Sequence, residues 1–285
     1  MPDLLRLAAF TLDPAGGNPA GVWIGDNLPD PDEMLRIAAD VGYSETAFLA
    51  PDGTGRPGAY RVRYYSPAAE VPFCGHATIA SGVALAERSA PGRFLLTTND
   101  GLVTVDTHRG PEGHVVATLT SVTPRVRAAE PALLADALDA IGWAPGELEP
   151  ALPAAVGYAG AHHLIIAAAS YDRLRHLSYD FDRLRSIMLA ADLTTAQLVW
   201  RESADHFRAR DPFPVGDVVE DPATGAAAAA LGAYLRWRGE LIPPARFTIS
   251  QGVEMGRPSH IEVEVPDGDG GIRVSGTAVS LGDDA

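Results

Sequence analysis

Apolar and polar positions alternate in short runs along much of this chain, which predicts strands at 5–10, 20–24, 46–49 and 61–65. A Gly/Pro/Asn cluster at 13–19 separates the first two, so they are expected to form a hairpin. Residues 31–41 leave the alternation: Met34, Ile37 and Ala38 recur at helical spacing behind acids in the first turn. Strands are predicted again at 94–98, 102–107 and 114–119. Beyond a Pro-, Ala- and Glu-rich stretch at 124–150, strands at 154–158, 163–168, 197–201 and 206–210 alternate with helices at 131–141, 171–176 and 181–191. One or two last strands fit 272–281.

Two stretches, 77–86 and 227–237, are helical in character but apolar on every side. Such a helix has to be buried, so each is expected inside a curved sheet. Their approaches match. Glu70-Val71-Pro72-Phe73-Cys74-Gly75-His76 and, 150 positions later, Glu220-Asp221-Pro222-Ala223-Thr224-Gly225-Ala226 both carry an acid, a Pro two places on, and a small residue before Gly. Arg93-Phe94-Leu95-Leu96-Thr97 is echoed by Arg246-Phe247-Thr248-Ile249-Ser250, and the strand from His114 by the strand from His260. Three echoes in one order predict two copies of one unit, with the junction near residue 125: an N-terminal domain over 1–125 and a C-terminal domain over 126–276. Each loop feeds a helix N-terminus, where unpaired N–H groups and the helix dipole attract an anion. Two such termini facing one cleft would hold a small carboxylate or an enolate-like intermediate.

Composition narrows the partners. The chain has 285 residues, a net charge of -15 and a sequence pI of about 4.8. Phosphate backbones and anionic membranes would repel that surface, so neither nucleic acid nor membrane is expected. No apolar run reaches the roughly 20 residues of a membrane span, and the first residues do not form a signal peptide, so a cytoplasmic protein is expected. All 22 basic residues are Arg, which removes Schiff-base chemistry and a lysine-anchored pyridoxal cofactor. Cys74 is the only cysteine, so an intrachain disulfide and a racemase built on two thiols are excluded. The eight His are scattered, with no His-Glu-x-x-His, and no Gly-rich phosphate loop or Gly-x-Ser-x-Gly elbow occurs. Neither a metal nor an organic cofactor is expected.

Four residues carry candidate chemistry. Glu45 enters an apolar strand, where burial would raise its pKa into general acid/base range, or it is a surface carboxylate at a turn. His76 follows the Gly of the first loop, and either shuttles a proton or bonds locally in the first helical turn. Asp221 either holds a substrate amine or hydroxyl or caps the second helix. Cys74 stands where a thiol pKa falls, but buried cysteines also serve as plain packing.

Gly17-Asn18-Pro19-Ala20-Gly21-Val22, Ser44-Glu45-Thr46-Ala47-Phe48, Pro72-Phe73-Cys74-Gly75-His76-Ala77-Thr78, Glu220-Asp221-Pro222-Ala223-Thr224-Gly225 and Gly256-Arg257-Pro258-Ser259 together resemble the PhzF (phenazine biosynthesis-like) isomerase family. They run in that family's order over nearly the whole chain. The resemblance implies an α+β, diaminopimelate epimerase-like fold: two similar domains, each a curled, mostly antiparallel sheet or barrel around a central helix, with the site in the cleft between them. It further implies a C-terminal tail near 277–285 that packs back on the first domain, and a homodimer. The implied activity is isomerisation of trans-2,3-dihydro-3-hydroxyanthranilate without cofactor, a glutamate moving a proton between carbons. By motif, Glu45 is that glutamate, His76 and Asp221 are the other polar site residues, and Asn18, Cys74, Gly75, Thr224, Gly225 and Ala226 are substrate contacts. Ala226 departs from the family pattern, which has Ser there. One hydroxyl donor is missing, a loss of about 1–3 kcal/mol toward a buried polar partner, which puts the anthranilate substrate in question. The expected activity is therefore a cofactor-independent, PhzF-type isomerase acting on a small carboxylate. The alternatives are an epimerase or racemase with Cys74 as one base, and a non-catalytic small-carboxylate binding protein.

Overall fold

The computed structural model describes residues 2–99 and 101–282 of the chain. It divides into two units, one formed by the residues up to Thr120 together with those from Ser275 on, the other by Ser121–Val274.

The first unit opens with the expected hairpin, β1 (Asp3–Ala9) against β2 (Asn18–Ile24), antiparallel from Asp3↔Ile24 to Ala9↔Asn18. Helix α1 (Pro31–Val41) follows. Asp30 caps it by accepting from the Glu33 N–H, Pro31 supplies a preset first turn, and Gly42 ends it in the left-handed region. β3 (Glu45–Pro51) then runs parallel to β2, β4 (Ala59–Tyr65) returns antiparallel to β3, and the two-residue β5 (Glu70–Val71) folds back on β4. After helix α2 (Gly75–Arg88), β6 (Arg93–Thr98) lies parallel to β4, and β7 (Gly101–Arg109) and β8 (Val115–Thr120) extend the sheet antiparallel.

The second unit repeats this plan. β9 (Arg125–Ala128) and helix α3 (Pro131–Ile141) lead in, and β10 (Ala155–Tyr158) pairs antiparallel with β11 (His162–Ala167). Helices α4 (Tyr171–Arg175) and α5 (Phe181–Ala190) cross to β12 (Thr195–Arg201), which is parallel to β11 as β3 is to β2. β13 (His206–Phe213) returns antiparallel, and β14 (Val218–Asp221) folds back on it. Helix α6 (Gly225–Arg238) follows, then β15 (Ala245–Gln251), parallel to β13, and β16 (Ser259–Val265) antiparallel to it. β17 (Arg273–Gly276) returns the chain to the first unit, where β18 (Ala278–Ser280) pairs antiparallel with β1.

The apolar helices are buried as their composition demands. His76 to Ala86 is continuously buried in α2, and in α6 so is Ala227 to Leu235. Helix α2 touches β1, β2, β3, β7, β8 and β18, strands from across its sheet, so the sheet curls around it; α6 touches β9, β10, β11 and β16 in the same way. The outer faces carry amphipathic helices. α1 covers Trp23, Phe48 and Tyr65, and α3 and α5 cover Val156, Leu164, Ile166 and Leu198. Among the described residues no helix is long and apolar enough to cross a membrane.

The duplication extends to side chains. Arg63 binds Glu70 through two bonds, Nε–Oε1 at 2.7 Å and Nη2–Oε2 at 2.5 Å, and Arg210 binds Glu220 through the same two at 3.0 and 2.5 Å. Each pair ties the strand before the loop to the acid that opens it. Arg63 holds the Glu70 carboxyl below the usual carboxylate range, chiefly through these hydrogen bonds.

Candidate active site

Helix α2 begins at the end of the first duplicated loop, with Cys74 as its N-cap in extended conformation. The Cys74 carbonyl accepts from the Thr78 N–H at 3.0 Å and from Thr78 Oγ1 at 2.6 Å. Thr78 Oγ1 in turn lies 2.7 Å from Tyr64 Oη. With the threonine proton given to the carbonyl, the Tyr64 hydroxyl donates, and burial pushes that hydroxyl well above the ordinary tyrosine range. A buried chain from β4 therefore fixes the first turn of α2 and aims Cys74 and His76.

Glu45 is the first residue of β3, opposite Ala20 in the parallel register with β2. Its side chain is 15% exposed, and it faces the start of α2. Glu45 Oε2 lies 3.5 Å from His76 Nε2 and 3.6 Å from Cys74 Sγ, and Cys74 Sγ lies 3.4 Å from His76 Nδ1. Cys74 and His76 are buried. A carboxylate, an imidazole and a thiol thus converge beside a helix N-terminus. They can take a proton from carbon, pass it on, and stabilise the negative charge that develops. Gly75 opens α2 in the same place, and Asn18, buried, opens β2 two residues before Ala20.

In the second unit the equivalent place is built differently. Thr224 is the N-cap of α6, and its Oγ1 donates to Asp221 Oδ2 at 2.6 Å. Gln251 Nε2 donates to the Asp221 carbonyl at 2.7 Å and to Thr224 Oγ1 at 3.0 Å, while the Thr224 N–H points to Gln251 Oε1 at 3.3 Å. Asp221 ends β14 and Gly225 begins α6, with Ala226 partly exposed in its first turn. The sequence-derived set thus gathers as Asn18, Glu45, Cys74, Gly75 and His76 in one unit, and Asp221, Thr224, Gly225 and Ala226 in the other.

Gln251 is absent from that set, and so are four further polar residues. Thr195 occupies the position in β12 that Glu45 holds in β3, and it donates to Asp211 Oδ1 at 2.8 Å while His163 Nδ1 lies 2.8 Å from its Oγ1. Thr195, His163, Asp211 and Gln197 are all buried. Burial, reinforced by the neighbouring Asp221 and Glu220 charges, holds the Asp211 carboxyl well above the usual carboxylate range; burial takes His163 the other way, down to about 3. For Asp211 and Gln251 the signal lies in strand parity. Phe207, Ala209 and Asp211 alternate on the buried side of β13, and Phe247, Ile249 and Gln251 on that of β15, so Asp211 and Gln251 are polar residues at apolar positions.

The PhzC-PhzF family, phenazine biosynthesis-like protein, matches residues 7–283 of this chain. An isomerase of Bacillus subtilis (strain 168) is 30% identical, the match covering 97% of this chain and 96% of that protein. The trans-2,3-dihydro-3-hydroxyanthranilate isomerase of Pseudomonas aeruginosa is 31% identical over 95% of this chain and 92% of its own. Among solved structures, a PhzF-family protein of Bacillus anthracis superposes with a TM-score of 0.86 at 24% identity, covering 98% of this chain and 96% of that one. A hydroxyproline epimerase of Agrobacterium vitis shares the fold at a TM-score of 0.64 and 15% identity, covering 98% of this chain and 90% of its own.

Proposed function

Because this chain belongs to the phenazine biosynthesis-like (PhzC-PhzF) family, and its named relatives make it an isomerase, we propose that it moves a proton between carbons of a small carboxylate-bearing substrate, with Glu45 as the acid and base. The observation that carries this reading is the meeting of Glu45 Oε2 with His76 and Cys74 at the start of α2. Glu45 takes a proton from one carbon and returns it to another, so the reaction needs no external donor or acceptor of protons or electrons. His76 orients the substrate and can hold the proton in transit. The N–H groups from Gly75 onward neutralise the substrate carboxylate or the developing oxyanion. Asp221, held by Thr224 and Gln251, takes a substrate amine or hydroxyl, and the N–H groups from Gly225 onward offer a second anion site. Neither metal nor organic cofactor enters this scheme.

The anthranilate-type substrate of the Pseudomonas relatives is the first to try. Ala226 gives the start of α6 no side-chain donor, so a related substrate with one hydrogen-bond acceptor fewer fits this chain better. Epimerisation with Cys74 as one base is the weaker reading: the duplicated position is Thr224, and the chain has no second cysteine.

The test is solvent-deuterium incorporation in heavy water, with dihydrohydroxyanthranilate and a panel of small amino and hydroxy carboxylates, read by mass spectrometry. Glu45→Gln keeps the shape and removes the base, and should lower exchange by roughly 10²–10⁴-fold. Full exchange in that variant would end the role given to Glu45. Loss of exchange in Cys74→Ala with Glu45 intact would favour the epimerase reading. Binding without exchange across the panel would leave a carboxylate-binding protein.

A further inference from the structure

We propose that Glu45, Cys74 and His76 form a binding site for a borderline-soft divalent cation, zinc above all, and that occupancy of this site switches the isomerase off. The binding stands on geometry; the inhibition rests on the proton-transfer roles given above to Glu45 and His76.

One ligand atom from each residue lies within 4.8 Å of the others: Cys74 Sγ, a His76 ring nitrogen and a Glu45 carboxylate oxygen. Their separations suit a shared metal ion. His76 Nε2 to Glu45 Oε2 is 3.5 Å, longer than the roughly 2.7–3.2 Å of a direct N–H···O bond. Cys74 Sγ to Glu45 Oε2 is 3.6 Å and Cys74 Sγ to His76 Nε2 is 3.8 Å. Zinc bonds of about 2.3 Å to sulfur and about 2.0–2.2 Å to nitrogen and oxygen, set at tetrahedral angles, put sulfur about 3.5–3.6 Å from each partner and nitrogen about 3.4 Å from oxygen. The His76–Glu45 leg is too long for a direct hydrogen bond, the legs to sulfur are of ordinary thiol hydrogen-bond length, and all three are close to the face of a zinc tetrahedron.

The donor set also selects the ion. Thiolate, imidazole and a single carboxylate suit zinc, cobalt and cadmium, whereas magnesium and calcium want six or more oxygens. Three protein ligands leave the fourth position for water or a substrate oxygen. The ligands sit on rigid elements, the first turn of α2 and the first residue of β3. Binding displaces the Cys74 thiol proton, which now points to Glu45, into solvent, and nothing is oxidised or reduced. With Glu45 Oε2 and a His76 nitrogen on the metal, the charge and lone pairs that would take a proton from carbon are held by the ion instead.

Cobalt is the probe, because the chain has one cysteine and a thiolate-to-cobalt charge-transfer band can arise only at Cys74. Titration of the intact protein with Co²⁺ should give that near-ultraviolet band together with the intense visible bands of tetrahedral cobalt, and Zn²⁺ should bleach both. Cys74→Ala should lose the charge-transfer band. His76→Gln and Glu45→Gln should each weaken cobalt binding at least roughly tenfold, as loss of a metal's supporting contacts does. No charge-transfer band in the folded protein would overturn the site. So would His76→Gln and Glu45→Gln binding cobalt as tightly as the parent, which would mean that the thiol acts alone. Zinc should abolish deuterium exchange and a chelator should restore it; cobalt binding with zinc-insensitive exchange would overturn the inhibition. If Glu45→Gln exchanges normally while the parent binds cobalt as described, the role of Glu45 fails and the metal site stands.

Discussion

Single residues at the two helix starts carry unequal burdens. In the first unit the titratable groups meet at the start of α2; in the second, Asp211 and His163 form a buried pair joined through Thr195. Asp211 Oδ2 and His163 Nε2 have no hydrogen-bond partner among the described residues. Their effects on stability run in opposite directions with pH. His163 titrates near 6.5 when unfolded and near 3 when folded, so its stabilising contribution is intact above 6.5 and falls as the pH drops from 6.5 toward 3. At about 1.4 kcal/mol per pH unit, roughly 2 kcal/mol is gone by pH 5. Asp211 has a folded pKa raised above its unfolded 3.8, so its contribution is complete below 3.8 and is lost as the pH rises toward the folded value. Asp211→Asn mimics the neutral acid and should stabilise the protein at pH 8, with a gain that shrinks toward pH 4. Urea denaturation at several pH values measures this, and an equal gain at pH 8 and pH 4 would contradict it.

At the scale of elements, the two central helices are as alike as the sequence repeat suggests, down to a glycine in each. Gly82 in α2 and Gly232 in α6 stand 150 positions apart, and each faces the sheet. A Cβ on Gly82 would lie 2.6 Å from Val105 Cγ1 and 3.1 Å from Ala117 Cβ. A Cβ on Gly232 would meet Ile272, Val263 and Val265 methyls at 3.0–3.4 Å. Ala in place of Gly favours a helix interior by about 1 kcal/mol, whereas overpacking a core costs about 1–3 kcal/mol. Gly82→Ala should therefore be destabilising, by up to about 2 kcal/mol net. Gly232→Ala should come out near neutral, because its neighbours need to give by only a few tenths of an ångström. Parallel thermal or urea melts decide it, and equal effects at the two positions would contradict the packing account. The strands around these helices were legible from alternation, but the short β5 and β14 and the strand β9 were not. A two-residue ladder such as Glu70–Val71 has no period to read, and Arg125–Ala128 sits in a Pro- and Ala-rich stretch that looks like a junction.

Across the whole molecule, the last strand belongs to the first unit's sheet. Phe10 N–H donates to the Thr277 carbonyl at 2.7 Å, Thr277 Oγ1 donates to the Thr11 carbonyl at 2.8 Å, and Ala278–Ser280 pairs along β1. A chain ending at Gly276 leaves one edge of β1 without this ladder. Hydrogen exchange should then show lost protection in β1 and β2 and unchanged protection in β11 to β13. Uniform loss in both units would mean that they unfold as one.

The duplicated loops, the two buried helices and most strands follow from the sequence alone, because a repeat and a period of alternation are local properties that survive without the fold. The residue types at Glu45, Cys74, His76 and Asp221 were visible in the same way, as motifs. Their use was not, because it depends on distances across the chain. Glu45 lies 29 positions before Cys74, and only the packing of β3 against the start of α2 brings their side chains to 3.6 Å. Folding likewise set Gln251 beside Asp221 and buried Asp211 next to Thr195. An inward-facing polar residue can be flagged from strand parity, but which group it meets is fixed only when strands distant in sequence become neighbours.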